Sequence, residues 1–141
     1  MEDRRIVQRG ELMQQILAVG LGGFVGAISR YVLSGMVMHF VQEKLGRTFP
    51  AGTLVVNVLG CLIIGVLMAY VLAQQLSDNM QLFLITGILG SLTTFSTFGY
   101  ETVALIQNSE PQLAFWNVAA NVCIGFAAVS AGMILAKSFG V

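Results

Sequence analysis

Four long apolar segments constrain the fold of this chain more than any other feature. A helix that crosses a bilayer needs roughly 20 mostly apolar residues, and each segment reaches that length. The segments cover residues 12–40, 53–73, 80–106 and 113–136, with short linkers between them. The sequence therefore predicts an all-α membrane protein with four transmembrane helices and with both termini on one side of the membrane.

The residues before the first segment are polar and mixed in charge, like the start of a signal peptide. The apolar run that follows is longer than a signal-peptide core and lacks a small-residue cleavage site. We therefore expect the first apolar segment to be retained as a span. The predicted organisation is a polar N-terminal extension over residues 1–11 and a single four-helix transmembrane domain over residues 12–141.

The composition supports a membrane protein and excludes other classes. Only 10% of the residues are charged and the formal net charge is zero, whereas soluble domains carry about 25% charged residues. No basic surface is available for binding nucleic acid. Cys61 and Cys123 lie in apolar runs and His39 is the only histidine, so the sequence indicates packing or interfacial roles rather than a disulfide or a metal cluster.

Lysine and arginine residues give this chain little preference for one orientation in the membrane. Outside the predicted spans, four of them lie on the side of the termini and two on the opposite side. The positive-inside rule orients proteins by such differences, and a difference this small permits insertion in both orientations. A chain that inserts both ways is able to pair with an inverted copy of itself.

The third segment contains a polar stretch that a lipid-facing helix has no reason to carry. Residues 87–98, GILGSLTTFSTF, include five hydroxyl side chains and two glycines. Backbone that leaves the helical pattern at membrane depth is tolerated only where protein buries it or where it lines a wet cavity. Broken spans of this kind usually hold an ion or substrate near the midplane. We predict that the third helix is broken near its middle.

Three asparagines lie inside the predicted spans. Asn57 is in the second, and Asn117 and Asn121, which are four residues apart, share one face of the fourth. Each amide needs hydrogen-bond partners in an apolar helix. Two interpretations remain open: hydrogen bonding between helices, or a polar track along which a small ion exchanges water for amide and hydroxyl contacts.

Two ionisable residues, Arg30 and Glu101, also lie within spans, where charge is costly and marks a functional candidate by default. Either side chain could instead reach the interface. A cation near the end of an aqueous vestibule would favour the entry of anions. We therefore treat both residues as vestibule or structural polar groups.

Phe95 and Phe98 are three residues apart and share a face if the helix resumes after the break. The plain interpretation is a pair of core phenylalanines. The alternative uses the positive edge of an aromatic ring, which would stabilise an anion in a pore without the deep trap that a fixed cation creates. The glycines and threonines of the break can also turn backbone carbonyls inward to hold a hard cation such as sodium.

Three motifs together resemble the signature of the small fluoride channels of the Fluc family, also called CrcB. They are G-x-L-G-S-L-T-T-F-S-T-F-x-x-E at residues 87–101, G-G-x-x-G-A-x-x-R-Y at 22–31 and G-T-L-x-V-N-x-x-G at 52–60. The motifs fall in the family's order, and the resemblance covers the chain from about residue 15 onward. Ser91 stands where the family usually has a second glycine, and the fourth span has asparagines where the family often has hydroxyl residues.

The resemblance implies a channel domain that works as an antiparallel, dual-topology homodimer with two pores in the bacterial inner membrane. Such a protein would export fluoride passively and relieve its toxicity. The resemblance also implies that Phe95 and Phe98 line the pores, that Asn57 contributes a donor, and that a structural Na+ lies at the dimer axis. The carbonyls of Gly90 and Thr93 would hold this Na+.

Several further residues complete the expected site. Fluoride is small and strongly hydrated, so replacing its water requires closely spaced donors beside the ring edges. Arg30 and Glu101 match family positions, and the resemblance assigns neither of them an individual role. The remaining candidate pore residues are Thr94, Ser96, Thr97, Asn117 and Asn121.

The main alternative is a proton-coupled small multidrug exporter, because such proteins also have four short spans and insert in both orientations. That function needs a carboxylate deep in a span, but the first two spans contain none and Glu101 lies past the break. A non-transporting assembly subunit would not explain a polar third span. An enzyme is not predicted, because no base is placed near Ser96 or Thr97.

Overall fold

The computed structural model describes residues 2–45 and 49–140, and the side chains of residues 10–44 and 49–140. Its described part is helical. The side chains of Arg4, Arg5, Arg9 and Arg47, which enter the count of basic residues above, lie outside the described residues. The three uninterrupted helices are α1 (Glu2–Leu45), α2 (Ala51–Leu72) and α6 (Pro111–Ser138).

The third span, Asp78–Gln107, is built from several pieces. It begins with α3 (Asp78–Gln81), continues as a π-helical segment (Leu82–Leu89) and then as α4 (Gly90–Leu92), and ends with α5 (Phe95–Gln107). π-helical turns insert an extra residue per turn and are frequent at functional sites. Between α4 and α5, Thr93 and Thr94 have extended backbone.

Within the described residues, four helical stretches are long and apolar enough to cross a membrane. Each predicted segment lies within the corresponding helix or extends one residue beyond it, so the prediction of four spanning helices is confirmed. α1 contains 44 residues and is therefore about 66 Å long at 1.5 Å per residue. A bilayer core is only about 30 Å thick, so α1 continues well past the apolar region, and residues of the predicted polar extension belong to the same helix.

The ends of the helices use simple local chemistry. α6 has Pro111 in its first turn, where the missing N–H costs nothing and the fixed φ suits a helix. α2 is followed by Gln74 and α5 by Ser109, both at positive φ. The next N–H groups turn back to the carbonyls of Tyr70 and Leu105, which closes the two helices and reverses the chain within a few residues.

Glycines allow the helices to approach each other closely, as two examples show. Gly22 of α1 faces Gly87 of the π-helical segment, where an added Cβ on Gly87 would lie 2.8 Å from the Gly22 Cα. Gly65 of α2 and Gly132 of α6 face each other's helix backbone. Small residues give spans the close contact that lipid does not otherwise favour. The first contact joins α1 to the third span, and the second joins α2 to α6.

Candidate functional site

The extended backbone between α4 and α5 is held by a side chain from another helix. Thr93 has φ −85° and ψ 155°, and Thr94 has φ −149° and ψ 117°. The Thr94 N–H donates to Oδ1 of Asn57 at 2.9 Å, and Nδ2 of Asn57 donates to the Thr94 carbonyl at 3.3 Å. One amide therefore satisfies both backbone groups of Thr94, as a neighbouring strand would.

Thr94 also caps the start of α5. Its Oγ1 accepts a hydrogen bond from the Thr97 N–H at 3.2 Å, which is the usual role of a threonine before the first helical residue. The same hydroxyl donates to Oγ1 of Thr97 at 3.0 Å and lies 3.3 Å from Oγ of Ser96. Thr94 is buried, whereas Ser96 and Thr97 are exposed on the single chain.

The bonds made by the N–H groups of Thr94 and Thr97 leave two backbone carbonyls without their usual helical partners. In a continuous α-helix, each N–H bonds the carbonyl four residues earlier, so Thr94 would bond Gly90 and Thr97 would bond Thr93. Here the Thr94 N–H donates to Asn57 and the Thr97 N–H donates to the Thr94 hydroxyl. The carbonyls of Gly90 and Thr93 are therefore released from their ordinary helical partners.

Phe95 and Phe98 lie side by side on α5. Their ring centroids are 5.6 Å apart and the ring planes are tilted by 53°. Phe95 is 83% exposed on the single chain, while Phe98 is partly buried. The predicted common face is confirmed, and the plain interpretation of a buried core pair does not hold for Phe95 in one copy of the chain.

A cavity of about 480 Å³ lies beside these residues. Its polar wall comes from amides and from the extended backbone, and its apolar wall comes from α2, the π-helical segment and α6. Ser96, Thr97 and Asn117 are outside its lining. The candidate residues that line it are Asn57, Gly90, Thr93, Thr94, Phe95, Phe98 and Asn121.

The two asparagines of α6 bond each other and reach two neighbouring helices. Nδ2 of Asn121 donates to the Asn117 carbonyl at 2.9 Å and to Asn117 Oδ1 at 3.1 Å. Oδ1 of Asn121 accepts from Nδ2 of Asn57 at 3.1 Å. Nδ2 of Asn117 donates to Oγ1 of Thr102 at 2.9 Å. Asn117 is completely buried, and its partners are Asn121 on the same helix and Thr102 on α5.

The two ionisable candidates lie apart from the cavity lining. Oγ1 of Thr53 donates to Oε1 of Glu101 at 2.8 Å, and Oε2 of Glu101 is buried without a partner among the described residues. Arg30 is partly buried on α1, and its carbonyl accepts a 2.6 Å bond from Oγ of Ser34.

Cys61 lines the cavity as a free thiol and Cys123 is exposed.

Sequence reasoning missed two hydroxyl residues of this network, Thr53 and Thr102. Thr53 stands in the motif at residues 52–60, and Thr102 lies outside all three motifs. Thr102 lies one position after Glu101, and its hydroxyl donates to the Phe98 carbonyl at 2.8 Å. A useful signal would have been that buried amides in apolar helices need partners, and that hydroxyls on a facing helix are the nearest available.

A comparison with protein families gives a match over most of the chain. The family model described as CrcB-like protein, Camphor Resistance (CrcB), matches residues 17–133. The chain belongs to the CrcB family. All the candidate residues named above lie within the matched region.

Relatives within the CrcB family are similar over nearly their whole length. A protein of Clostridium perfringens is 45% identical over 122 residues, which cover 86% of this chain and 92% of the relative. A protein of Methanococcus aeolicus is 44% identical over 78% of this chain and 85% of the relative. One of Shewanella sediminis is 44% identical over 79% and 87%. All three are named fluoride-specific ion channel FluC.

The four spans make the chain a multi-pass membrane protein. Its cavity lies at the level of the interruption in the third span. Within the side chains that the structure describes, no group of three or more His, Cys, Asp or Glu residues is placed to hold a metal ion.

Proposed function

We propose that this chain is a fluoride-selective channel that lets fluoride leave a bacterial cell passively across the inner membrane and so relieves fluoride toxicity. The observation that carries the proposal is the pairing of two phenylalanine rings beside a cavity that has one polar wall, at the interrupted third span. The identity of the ion comes from the relatives, which are named as fluoride-specific channels. Nothing in the family match or in those names favours a proton-coupled exporter.

The chemistry of the cavity suits a small anion. Fluoride holds its water strongly, so a pore must offer closely spaced replacements. The rings of Phe95 and Phe98 offer positive edges, which attract an anion without the tight binding of an ammonium or guanidinium group. A conducting site must bind the ion well enough to admit it and weakly enough to release it. Ring edges meet both requirements.

The hydroxyl groups next to the rings continue this path. Ser96 and Thr97 are exposed on the single chain, directly after the capping hydroxyl of Thr94. Asn57 and Asn121 form the polar wall of the cavity, and Asn117 lies behind them. The longest bond of the Asn57 amide is the 3.3 Å contact with the Thr94 carbonyl, so we expect an anion to replace that contact first.

A second copy of the chain in the opposite orientation would complete the path. Phe95 is largely exposed on one copy, so a single chain leaves its ring facing outward. The small Lys and Arg bias permits insertion in both orientations. An antiparallel, dual-topology homodimer would cover the exposed rings and form two equivalent pores, one along each third span, with the broken helix of each subunit at the midplane.

The released carbonyls fit a Na+ at the axis of such a dimer. Gly90 and Thr93 both line the cavity, and the N–H groups that would bond their carbonyls in a continuous helix donate elsewhere. Hard cations prefer oxygen ligands, and unwound carbonyls are the usual sodium ligands in broken spans. When bound, the ion would supply a positive charge that holds carbonyl dipoles of the two subunits together.

Arg30 and Glu101 would act away from the rings, as vestibule or structural polar groups. Glu101 bonds Thr53 on the second span and therefore ties α5 to α2. Arg30 lies on α1, where its charge would raise the concentration of anions near the entrance.

Efflux from liposomes tests the proposal. The purified protein is reconstituted with internal fluoride or chloride, and release of each ion is followed with an ion-selective electrode. We expect fast fluoride release without chloride release and without a proton gradient. Release that requires a proton gradient would favour the exporter, and absence of fluoride release from folded protein would contradict the channel.

A further inference from the structure

Five hydrogen bonds connect the two ends of the phenylalanine segment through other helices. The series starts at the Thr94 N–H, which donates to Asn57, and Asn57 donates to Asn121. Asn121 then donates to Asn117, Asn117 donates to Thr102, and Thr102 donates to the Phe98 carbonyl. The bonds therefore leave α5 at its N-terminal cap, pass through α2 and α6, and return to α5 one turn later. We call these five bonds the amide relay.

Backbone groups fix the direction of every amide in the relay. A backbone N–H can only donate, so Asn57 must turn its oxygen to Thr94. A backbone carbonyl can only accept, so Asn121 must turn its nitrogen to the Asn117 carbonyl, 2.9 Å away. The Phe98 carbonyl takes the Thr102 proton, which leaves the Thr102 oxygen to accept from Asn117. In these five bonds, every donor thus points the same way around the loop.

We propose that Asn117, Asn121 and Thr102 are positioning residues, which hold the segment from Thr94 to Phe98 against α2 and α6 through the amide relay. This inference rests on the proposed channel function. The relay fixes the cap before Phe95 and the carbonyl of Phe98, so it sets where the two rings stand relative to the cavity. Asn117 and Thr102 do so without facing the ion path.

The hydrogens of the relay's amides explain why Asn121 and Asn117 position the phenylalanine segment rather than coordinate the ion. An amide nitrogen carries two hydrogens. Those of Asn57 go to the Thr94 carbonyl and Asn121, and those of Asn121 go to the carbonyl and the side chain of Asn117. An ion in the cavity therefore finds both hydrogens of Asn121 engaged, and at Asn57 it has to displace the longer bond to the Thr94 carbonyl. Asn117 is completely buried, and a buried polar group that loses its partner is costly, so the relay resists partial opening.

Bonds arranged head to tail polarise one another, so each supports the next. Removing the Thr102 hydroxyl should consequently loosen the pairing of Thr94 with Asn57, although several bonds separate the two. A Thr102 hydroxyl that only stabilises its own helix turn would have no such distant effect. This difference makes the relay testable without any ion flux.

The first test is hydrogen–deuterium exchange of the purified protein, read by mass spectrometry on peptides that cover residues 93–98. Thr102→Val removes the hydroxyl at nearly constant size, and Thr102→Ser keeps it. We expect Thr102→Val to speed exchange of this segment by about tenfold, as expected for the loss of one buried hydrogen bond, and Thr102→Ser to restore the original rate. Asn121→Leu, which acts closer to Thr94, should speed exchange further.

Ser130→Ala is the matched control. Ser130 makes the same kind of bond to a carbonyl four residues earlier, at 3.0 Å to Phe126, but has no part in the relay. Its exchange pattern over residues 93–98 should equal that of the unmodified protein. Unchanged exchange in Thr102→Val would overturn the proposal, because Thr102 would then stabilise only its own turn.

The second test measures fluoride efflux from liposomes in a double-mutant cycle. If the relay is one unit, Thr102→Val slows efflux in the unmodified protein and adds nothing once Asn121→Leu has interrupted the series. Equal slowing in both backgrounds would show that the residues act independently and would overturn the relay. If the unmodified protein releases no fluoride while exchange still responds to Thr102→Val, the proposed function fails and the relay stands.

Discussion

The N–H of Thr94 donates to Oδ1 of Asn57 at 2.9 Å, so an amide of the second span takes the place that the Gly90 carbonyl would hold in a continuous third span. The same amide donates back to the Thr94 carbonyl. A single side chain thereby maintains extended backbone inside an apolar bundle, where unpaired backbone groups are costly. It also leaves the Gly90 carbonyl available at the cavity wall.

Asn57→Asp should nearly abolish fluoride efflux. A carboxylate still accepts from the Thr94 N–H but has no hydrogen for the Thr94 carbonyl or for Asn121, and its charge repels an anion. We expect a loss of about a hundredfold or more in liposome efflux, equivalent to two lost bonds of roughly 1.4 kcal/mol each. Asn108→Asp makes the same change at an exposed helix end and should leave efflux unchanged. Normal efflux from Asn57→Asp would contradict the role of this amide.

Phe95→Ile and Phe98→Ile should each slow fluoride efflux by at least about tenfold, while the protein elutes from a sizing column at the same position. Isoleucine keeps the apolar volume but lacks the positive ring edge that attracts the anion. Phe139→Ile, placed just after the end of α6, serves as the control. If both variants in α5 conduct normally, the rings do not take part in ion passage.

Gly22→Ala should destabilise the protein, whereas Gly23→Ala should not. A Cβ on Gly22 would overlap the Phe83 carbonyl, and the same atom on Gly23 meets no other atom within 4 Å. Overpacking costs typically 1–3 kcal/mol, and alanine in an open helical position gains up to about 1 kcal/mol over glycine. Thermal unfolding in detergent should therefore show a lower midpoint for Gly22→Ala alone. Equal midpoints would mean that α1 and the π-helical segment are farther apart.

Thr53→Val should lower stability by about 1–3 kcal/mol, because Glu101 loses the hydroxyl that donates to Oε1 while its other, buried oxygen already lacks a partner among the described residues. Thr53→Ser keeps the donor and should retain most of the stability. Thermal unfolding in the same detergent measures both variants. A midpoint for Thr53→Val equal to that of the unmodified protein would show that the contact contributes no stability.

Most of the architecture is predictable from the sequence, because the length of an apolar run decides whether a helix can cross a bilayer. Spacing also predicts that Phe95 and Phe98 share a face and that Asn117 and Asn121 lie one turn apart. These predictions depend only on helical periodicity. They hold for any arrangement of the helices around each other.

The parts that escape prediction depend on which helices become neighbours. The run LFLITGIL has no signature that sets it apart from an ordinary α-helix, and its π-helical form accompanies the close contact of Gly87 with Gly22. The role of Thr102 is hidden for a related reason. A threonine inside a helix commonly bonds the carbonyl four residues earlier. The second partner of Thr102 is Asn117, which lies fifteen residues later in the sequence and contacts it only when α6 packs against α5.

The pairing of Asn57 with Thr94 has a consequence for how the protein is made. The two residues are 37 positions apart and lie on different spans, so the pairing cannot exist until the second and third spans are neighbours in the lipid. A third span that enters the membrane alone has no partner for the Thr94 backbone other than its own helix. We expect it to insert as a regular helix and to exchange the Gly90–Thr94 bond for the asparagine only during docking. The interruption is then a product of assembly rather than of insertion.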